Sequence, residues 1–195
     1  MPKVGMEPIR RDALVKATIA EIGEIGTLDV TDSQIAKRAG MSSGLAHHYF
    51  GGKDQIFLAA MRHTLALHAA EVRGALSKVC TPQDRIDAIV RASFSPSHLQ
   101  RNVIAAWLNF YVLAQASQQA RHLLDIYQRR LRSNLIFALR PLIGPRSVDV
   151  AEQLAGMIDG LYLRQSLGQT VADPEKAIGH VMRVLALEVQ HGASR

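Results

Sequence analysis

From Leu14 onward, apolar side chains return every three to four positions, and no segment alternates apolar and polar residues through a β-branched run. That period lays an apolar stripe along one side of a helix and gives a sheet no face to bury. The chain is therefore expected to be all-α, with about nine helices. No stretch approaches the ~18 consecutive apolar residues of a membrane span, and Met1–Glu7 lacks the apolar core of a secretory signal. The single cysteine, Cys80, excludes a disulfide framework and a multi-cysteine zinc site within one chain. These features lead us to expect a cytoplasmic protein.

Local chemistry marks the helix ends. The first helix is expected from near Glu7 to Ile25, with Leu14, Val15, Thr18, Ile19 and Ile22 on one face and Gly26 as its stop. Thr31 and Gln34 form a Thr-x-x-Gln capping box at the start of the second, which ends at Gly40. A short third helix runs from Ser42 to Phe50, Gly51-Gly52 interrupts the chain, and a long fourth begins near Lys53. Thr81-Pro82 and Asp173-Pro174 pair an N-cap residue with proline at the first helical position. Pro96, Pro141 and Pro145 mark the other expected joints.

The informative stretch is TDSQIAKRAGMSSGLAHHYFGGKD, Thr31 to Asp54. It reads as a helix, a tight turn, a short helix and the start of another. Ala36 and Ala39 are small enough for two helices to cross closely, and Gly40 suits the left-handed conformation of a sharp turn. Ser42 caps the next helix, whose exposed amides attract phosphate. In a helix-turn-helix this second helix lies in the major groove. Here it offers Ser43, Gly44, Leu45, His47, His48 and Tyr49. Phe50, with Ile35, Ala36 and Ala39, is expected in the core. Bulk charge does not single this region out: residues 1–62 hold eight basic and seven acidic side chains, although the whole chain is +6.

Thr31, Ile35-Ala36, Ala39-Gly40, Ser42, Gly44, the His48-Tyr49-Phe50 run and Lys53 resemble the DNA-binding domain of TetR-type repressors. Further stretches are MPKVGMEPIRR, AHHYFGGKD, AAWLNFY around Trp107-Leu108, RRLRSNL from Arg129 and IDGLYLR from Ile158. They extend the resemblance along nearly the whole chain, to the choline-responsive members that control glycine betaine synthesis. The resemblance implies a DNA-binding domain over residues 1–52 and an effector-binding and dimerisation domain over 53–195. It implies that Thr31 and Ser42 meet the DNA backbone, and that Ser43, Gly44, Leu45 and His47 face the groove. His48 and Tyr49 would sit at its rim or on phosphates, and Lys53 on a phosphate. Gly51-Gly52 departs from the polar or charged pair common in the family. Between Arg38 and Lys53 there is no Arg or Lys, so no arginine reads guanine from this helix.

The implied partners are a palindromic double-stranded operator, a second copy of the chain, and a small-molecule effector, choline. The alternative is another small lipophilic or cationic effector. A quaternary ammonium is held by aromatic faces, each contributing roughly 0.5–2 kcal/mol. Candidates are Trp107, Phe110 and Tyr111, on one face of a helix, and Tyr127 and Tyr162 on later helices, with Asp159 as counter-charge. Aromatics at helical spacing are more often core than cage, so choline rests on the resemblance. Leu154, Ile158, Leu161 and Tyr162, with Ile178, Val181, Met182 and Leu185, make the expected dimer stripes, and Gly156 and Gly160 permit close approach. No Gly-x-Ser-x-Gly, His-Glu-x-x-His or phosphate-cradling glycine motif occurs, so neither an enzyme nor a cofactor or metal is expected. A helical enzyme or a module that ignores DNA is the rival reading; it predicts no salt-sensitive DNA binding.

Overall fold

A computed structural model describes residues 5–168 and 173–193; the first four residues of the MPKVGMEPIRR run lie outside them. Among the described residues the chain is nine α-helices and one 3-10 turn, with no strand. They are α1 (Met6–Ile25), α2 (Asp32–Arg38), α3 (Ser43–Phe50), α4 (Lys53–Leu76) and α5 (Pro82–Ser93). Then follow α6 (Arg101–Ala116), α7 (Gln118–Ile143), the 3-10 turn Gly144–Arg146, α8 (Ser147–Leu167) and α9 (Pro174–Ala193). The all-helical expectation holds. No described helix is long and apolar enough to cross a membrane.

The chain forms two compact units. The first comprises residues 1–66 and 100–124, and the second residues 67–99 and 125–195. This grouping differs from a cut at residues 52 and 53. The reason lies in α6, which packs along α1 rather than with the later helices. The approach is close at Gly23: a Cβ there would lie 2.3 Å from the Cβ of Asn102 on α6. Asn109 of α6 donates to the Gly26 carbonyl at 3.0 Å, which satisfies an orphan acceptor at the end of α1. Arg38 at the end of α2 pairs with Glu21 and Glu24 of α1.

The second unit has its own core, which includes Ile86, Ile89, Phe94, Leu135, Leu139, Leu154, Ile158 and Val181. Its helices α5, α8 and α9 pack together, and Arg91 of α5 reaches Asp87 and Glu175. Two expectations change here. Pro141 is not a joint but lies inside α7, two residues before its end. In a last turn, the hydrogen bond that proline removes leaves a carbonyl close to solvent, so the helix survives it. Leu154, Ile158 and Tyr162 on α8, and Ile178, Val181 and Leu185 on α9, are buried within one copy. They form part of this unit's own core, because a two-helix seam hides the stripes most rich in large apolar residues. The faces left outward carry Gly156, Leu163 and Leu167 on α8 and Gly179, Ala186 and Leu187 on α9.

Candidate nucleic-acid interface and effector site

The turn between α2 and α3 follows from its residues. Thr31 accepts from the Gln34 amide at 3.2 Å, and the Gln34 side chain accepts the Thr31 N–H at 2.8 Å, completing the capping box. At the other end of α2, the Gly40 N–H donates to Lys37 and the Met41 N–H to Ala36. This is the paired bonding of a Schellman stop, and it needs the left-handed φ of 68° at Gly40. Ser42 then caps α3 by accepting from the Leu45 N–H at 3.3 Å.

The result is an α3 whose first turn is open. Ser43, Gly44, His47 and His48 are exposed, as are Thr31 and Ser42; Leu45 and Tyr49 are half-buried. Only Ala46 of this helix is buried. Phe50, expected in the core, is half-buried, with the Arg11 guanidinium 5.0 Å from its ring centre. A helix this short buries one narrow stripe, and its last residue falls at the edge. Nothing in the chain lies within 4 Å of a Cβ placed on Gly44, so the protein's own packing does not demand glycine there. Lys53 opens α4 half-buried, its ammonium 5.4 Å from the Phe57 ring.

Two basic residues beside α3 escape a reading confined to Thr31–Asp54. Arg10 of α1 donates to the Tyr49 hydroxyl at 3.3 Å, and Arg11 covers both aromatic rings. Sequence separation hides them. Arg11 also pairs with Glu7 at 2.9 Å. Arg38 is engaged with two carboxylates: hydrogen bonding to Glu21 raises its already high pKa, with Glu24 adding to it.

The expected effector residues divide between the units. Trp107, Phe110 and Tyr111 belong to the first; Trp107 and Tyr111 meet edge to face at 6.1 Å, and Phe110 is 2% exposed. Tyr127, Asp159 and Tyr162 belong to the second, where Tyr127 donates to the Asp159 carboxylate at 3.0 Å. Burial pushes the Asp159 pKa up to about 6, against the smaller opposing effect of the Tyr127 hydrogen bond.

These residues adjoin a polar cluster that the sequence reading does not contain. The Tyr127 ring meets His68 of α4 edge-on at 5.5 Å. His68 Nδ1 lies 3.0 Å from His98 Nε2, and Tyr162 donates its hydroxyl to the His98 carbonyl at 3.0 Å. His98 Nδ1 is 3.1 Å from Glu71 and 2.8 Å from the Ser95 hydroxyl. Ser95 and Ser97 each donate to Glu71, at 2.8 and 2.6 Å. Desolvation takes the His68 pKa down to about 4, helped by the neighbouring His98. Desolvation also lowers the His98 pKa, against Glu71. Burial disfavours the Glu71 carboxylate, yet the two serine hydroxyls and the histidines hold its pKa below the ordinary value. His68 and His98 stand on elements distant in sequence, so no spacing motif announces them. Among the described residues no cluster suits a metal ion.

Comparison with known proteins finds matches over both the N-terminal and the C-terminal parts of the chain. Residues 14–60 match the bacterial regulatory proteins of the tetR family, and residues 82–190 match the BetI-type transcriptional repressor C-terminal domain. The HTH-type transcriptional regulator BetI of Brucella anthropi is 49% identical over 190 residues, covering 97% of this chain and 98% of that protein. BetI of Rhizobium meliloti is 50% identical over 168 residues, covering 86% and 83%. A transcriptional regulator of Pseudomonas aeruginosa shares the fold with a TM-score of 0.82 at 24% identity, over 95% of this chain and 94% of that one. So does a Saccharomonospora viridis regulator solved in complex with choline, with a TM-score of 0.80 at 20% identity over 90% and 95%.

Proposed function

The chain belongs to the TetR family of transcriptional regulators and carries a BetI-type repressor domain, and from that premise we propose that it represses choline-uptake and glycine betaine synthesis genes and releases its operator on binding choline. It acts in the cytoplasm as a homodimer on a palindromic site. The observation that carries the DNA half is the open first turn of α3: Ser43, Gly44 and His47 are exposed on a helix whose N-terminus Ser42 caps. Backbone amides there suit phosphate, and Gly44 lets a sugar-phosphate strand or base edge come near the helix. Thr31, Ser42, His48, Tyr49 and Lys53 supply the flanking backbone contacts, with Arg10 adding charge that α3 lacks. Leu45 packs more than it reads. A two-fold dimer sets two such helices about 34–36 Å apart, and the outward small and apolar residues of α8 and α9 offer it a surface.

For the effector, support comes from the part-buried Tyr127–Asp159 pair with Tyr162 on the same helix as Asp159, and from the relatives named BetI. The Saccharomonospora regulator of like fold, solved in complex with choline, supports this reading. Trp107, Phe110 and Tyr111 remain candidates on α6, to be tested by substitution. His68 and Glu71 lie on α4, the same helix that Lys53 opens. A ligand that engages them thus acts on a helix that also contributes to DNA contact.

Fluorescence anisotropy with the chain's own upstream DNA tests this at two salt concentrations. Salt-sensitive binding is expected, weakened by choline about 5–150-fold, the usual size of allosteric coupling. Absence of specific binding refutes the repressor reading for this DNA, and release by glycine betaine but not choline refutes the effector.

A further inference from the structure

The contacts from Glu71 to His68 favour one proton arrangement, because the carboxylate is the strongest acceptor near the two serine hydroxyls, which also lie 2.8 Å from each other. Ser95 and Ser97 both spend their hydroxyl protons on the Glu71 carboxylate. His98 Nδ1 therefore faces acceptors alone, the Ser95 oxygen at 2.8 Å and Glu71 Oε2 at 3.1 Å, and must carry the proton itself. A bare Nδ1 would set its lone pair against a carboxylate. His98 is neutral, since burial lowers its pKa, so its Nε2 is an acceptor. The 3.0 Å contact to His68 is then a donation from His68 Nδ1–H. His68 is neutral as well, which leaves its Nε2 as a lone pair without a proton. No hydrogen bond to that atom occurs among the described residues.

At the other end of the Tyr127 ring lies Asp159. Its Oδ1 takes the tyrosine hydroxyl, and no basic side chain pairs with it among the described residues. A half-desolvated carboxylate and a bare imidazole acceptor thus flank one phenol ring, held by α4, α7 and α8 within a single compact unit. A carboxylate calls for a cation, and an acceptor lone pair calls for a donor. A quaternary ammonium has no donor of its own, so the donor must be a hydroxyl.

Resting on the effector reading above, we propose that His68 Nε2 accepts the hydroxyl of a cationic alcohol whose ammonium Asp159 counters, with Glu71 and His98 as positioning residues that fix the His68 tautomer. This makes the hydroxyl, and not the cationic head alone, the feature selected. A ligand with an ether or aldehyde oxygen in that place would set lone pair against lone pair. A carboxylate there would meet both the His68 lone pair and the charge of Asp159.

Isothermal titration with choline and with choline methyl ether, which keeps the cation and loses the donor, tests the assignment. The wild-type chain is expected to prefer choline by about tenfold, the size expected when a buried acceptor loses its donor. In His68→Phe the two ligands should bind within about twofold of each other, because ether binding is kept while the choline advantage is lost. Nitrogen-15 spectra of the wild-type imidazoles give a readout that needs no variant: His68 should be protonated on Nδ1 and bare on Nε2. Choline-driven operator release with no preference over the ether, or a proton found on His68 Nε2, overturns this inference and leaves the repressor reading intact. Binding of a different cationic alcohol but not of choline, with the same dependence on His68, supports it and overturns choline as the effector. Failure of every cationic alcohol to bind overturns both.

Discussion

Replacing Asp159 by asparagine should make the protein more stable and less responsive at once. The folded chain holds this carboxyl at a pKa of about 6 against the ordinary value of 3.8. Because the folded value is the higher one, the folded state binds the extra proton between those values. The stabilisation from that proton is complete below the unfolded pKa and is lost as pH rises through 6. At pH 7.5 the ionised carboxylate therefore costs the fold about 3 kcal/mol, at about 1.36 kcal/mol per pH unit. Asparagine keeps an oxygen for the Tyr127 hydroxyl and removes the charge. Allowing for relaxation around the new amide, a gain of about 2 kcal/mol is expected, or roughly 4–8 °C in Tm for a chain of this size. Choline affinity should fall at least about tenfold, since the counter-charge is gone. Scanning calorimetry at pH 7.5 and pH 5 reads the first effect. At pH 5 the wild-type carboxyl is mostly protonated and the ionisation cost falls by about 1.4 kcal/mol, so the gain should shrink to about a third. His68 works in the opposite sense: its folded pKa of about 4 lies below the ordinary value of 6.5, so its contribution is present above 6.5 and is lost as pH falls through 4. In the wild type these two trends offset one another between about pH 4 and 6; in Asp159→Asn the acid loss stands alone and should steepen. A variant that is less stable at pH 7.5, or whose gain is the same at both pH values, refutes the reasoning.

Two further outcomes concern the first unit. Gly23→Ala puts a methyl where Asn102 already stands, and overpacking at a helix crossing should cost about 1–3 kcal/mol or more, seen as a lowered denaturation midpoint with unchanged helix content at low denaturant. His47→Ala should weaken operator binding by about 1–3 kcal/mol while leaving binding to unrelated DNA and its salt slope nearly unchanged; an equal loss on both would show that His47 reads no base.

The readable parts of this molecule are those settled between near neighbours. Thr31 and Gln34 meet within one turn, Gly40 takes the conformation that the α2–α3 turn needs, and Ser42 caps α3 three residues before the amide it binds. Such contacts depend only on local spacing, so the helix-turn-helix and its open first turn can be derived from the chain written out in order. The division of the expected effector residues between two compact units could not, because α6 carries Trp107 back to α1 and away from its neighbours in sequence.

Apolar period alone also determined that α8 and α9 each bury a stripe, yet it could not say against what: another copy of the chain and the next helix present the same requirement. Only packing decided that Leu154, Ile158, Val181 and Leu185 close the unit's own core and that glycine and leucine are left outside. The same holds for His68, His98 and Glu71. Their residue types are ordinary, and what makes them a proton-ordering chain is desolvation together with separations near 3 Å. Those are properties of three-dimensional neighbours, set after the helices have found one another, and a linear pattern carries no record of them.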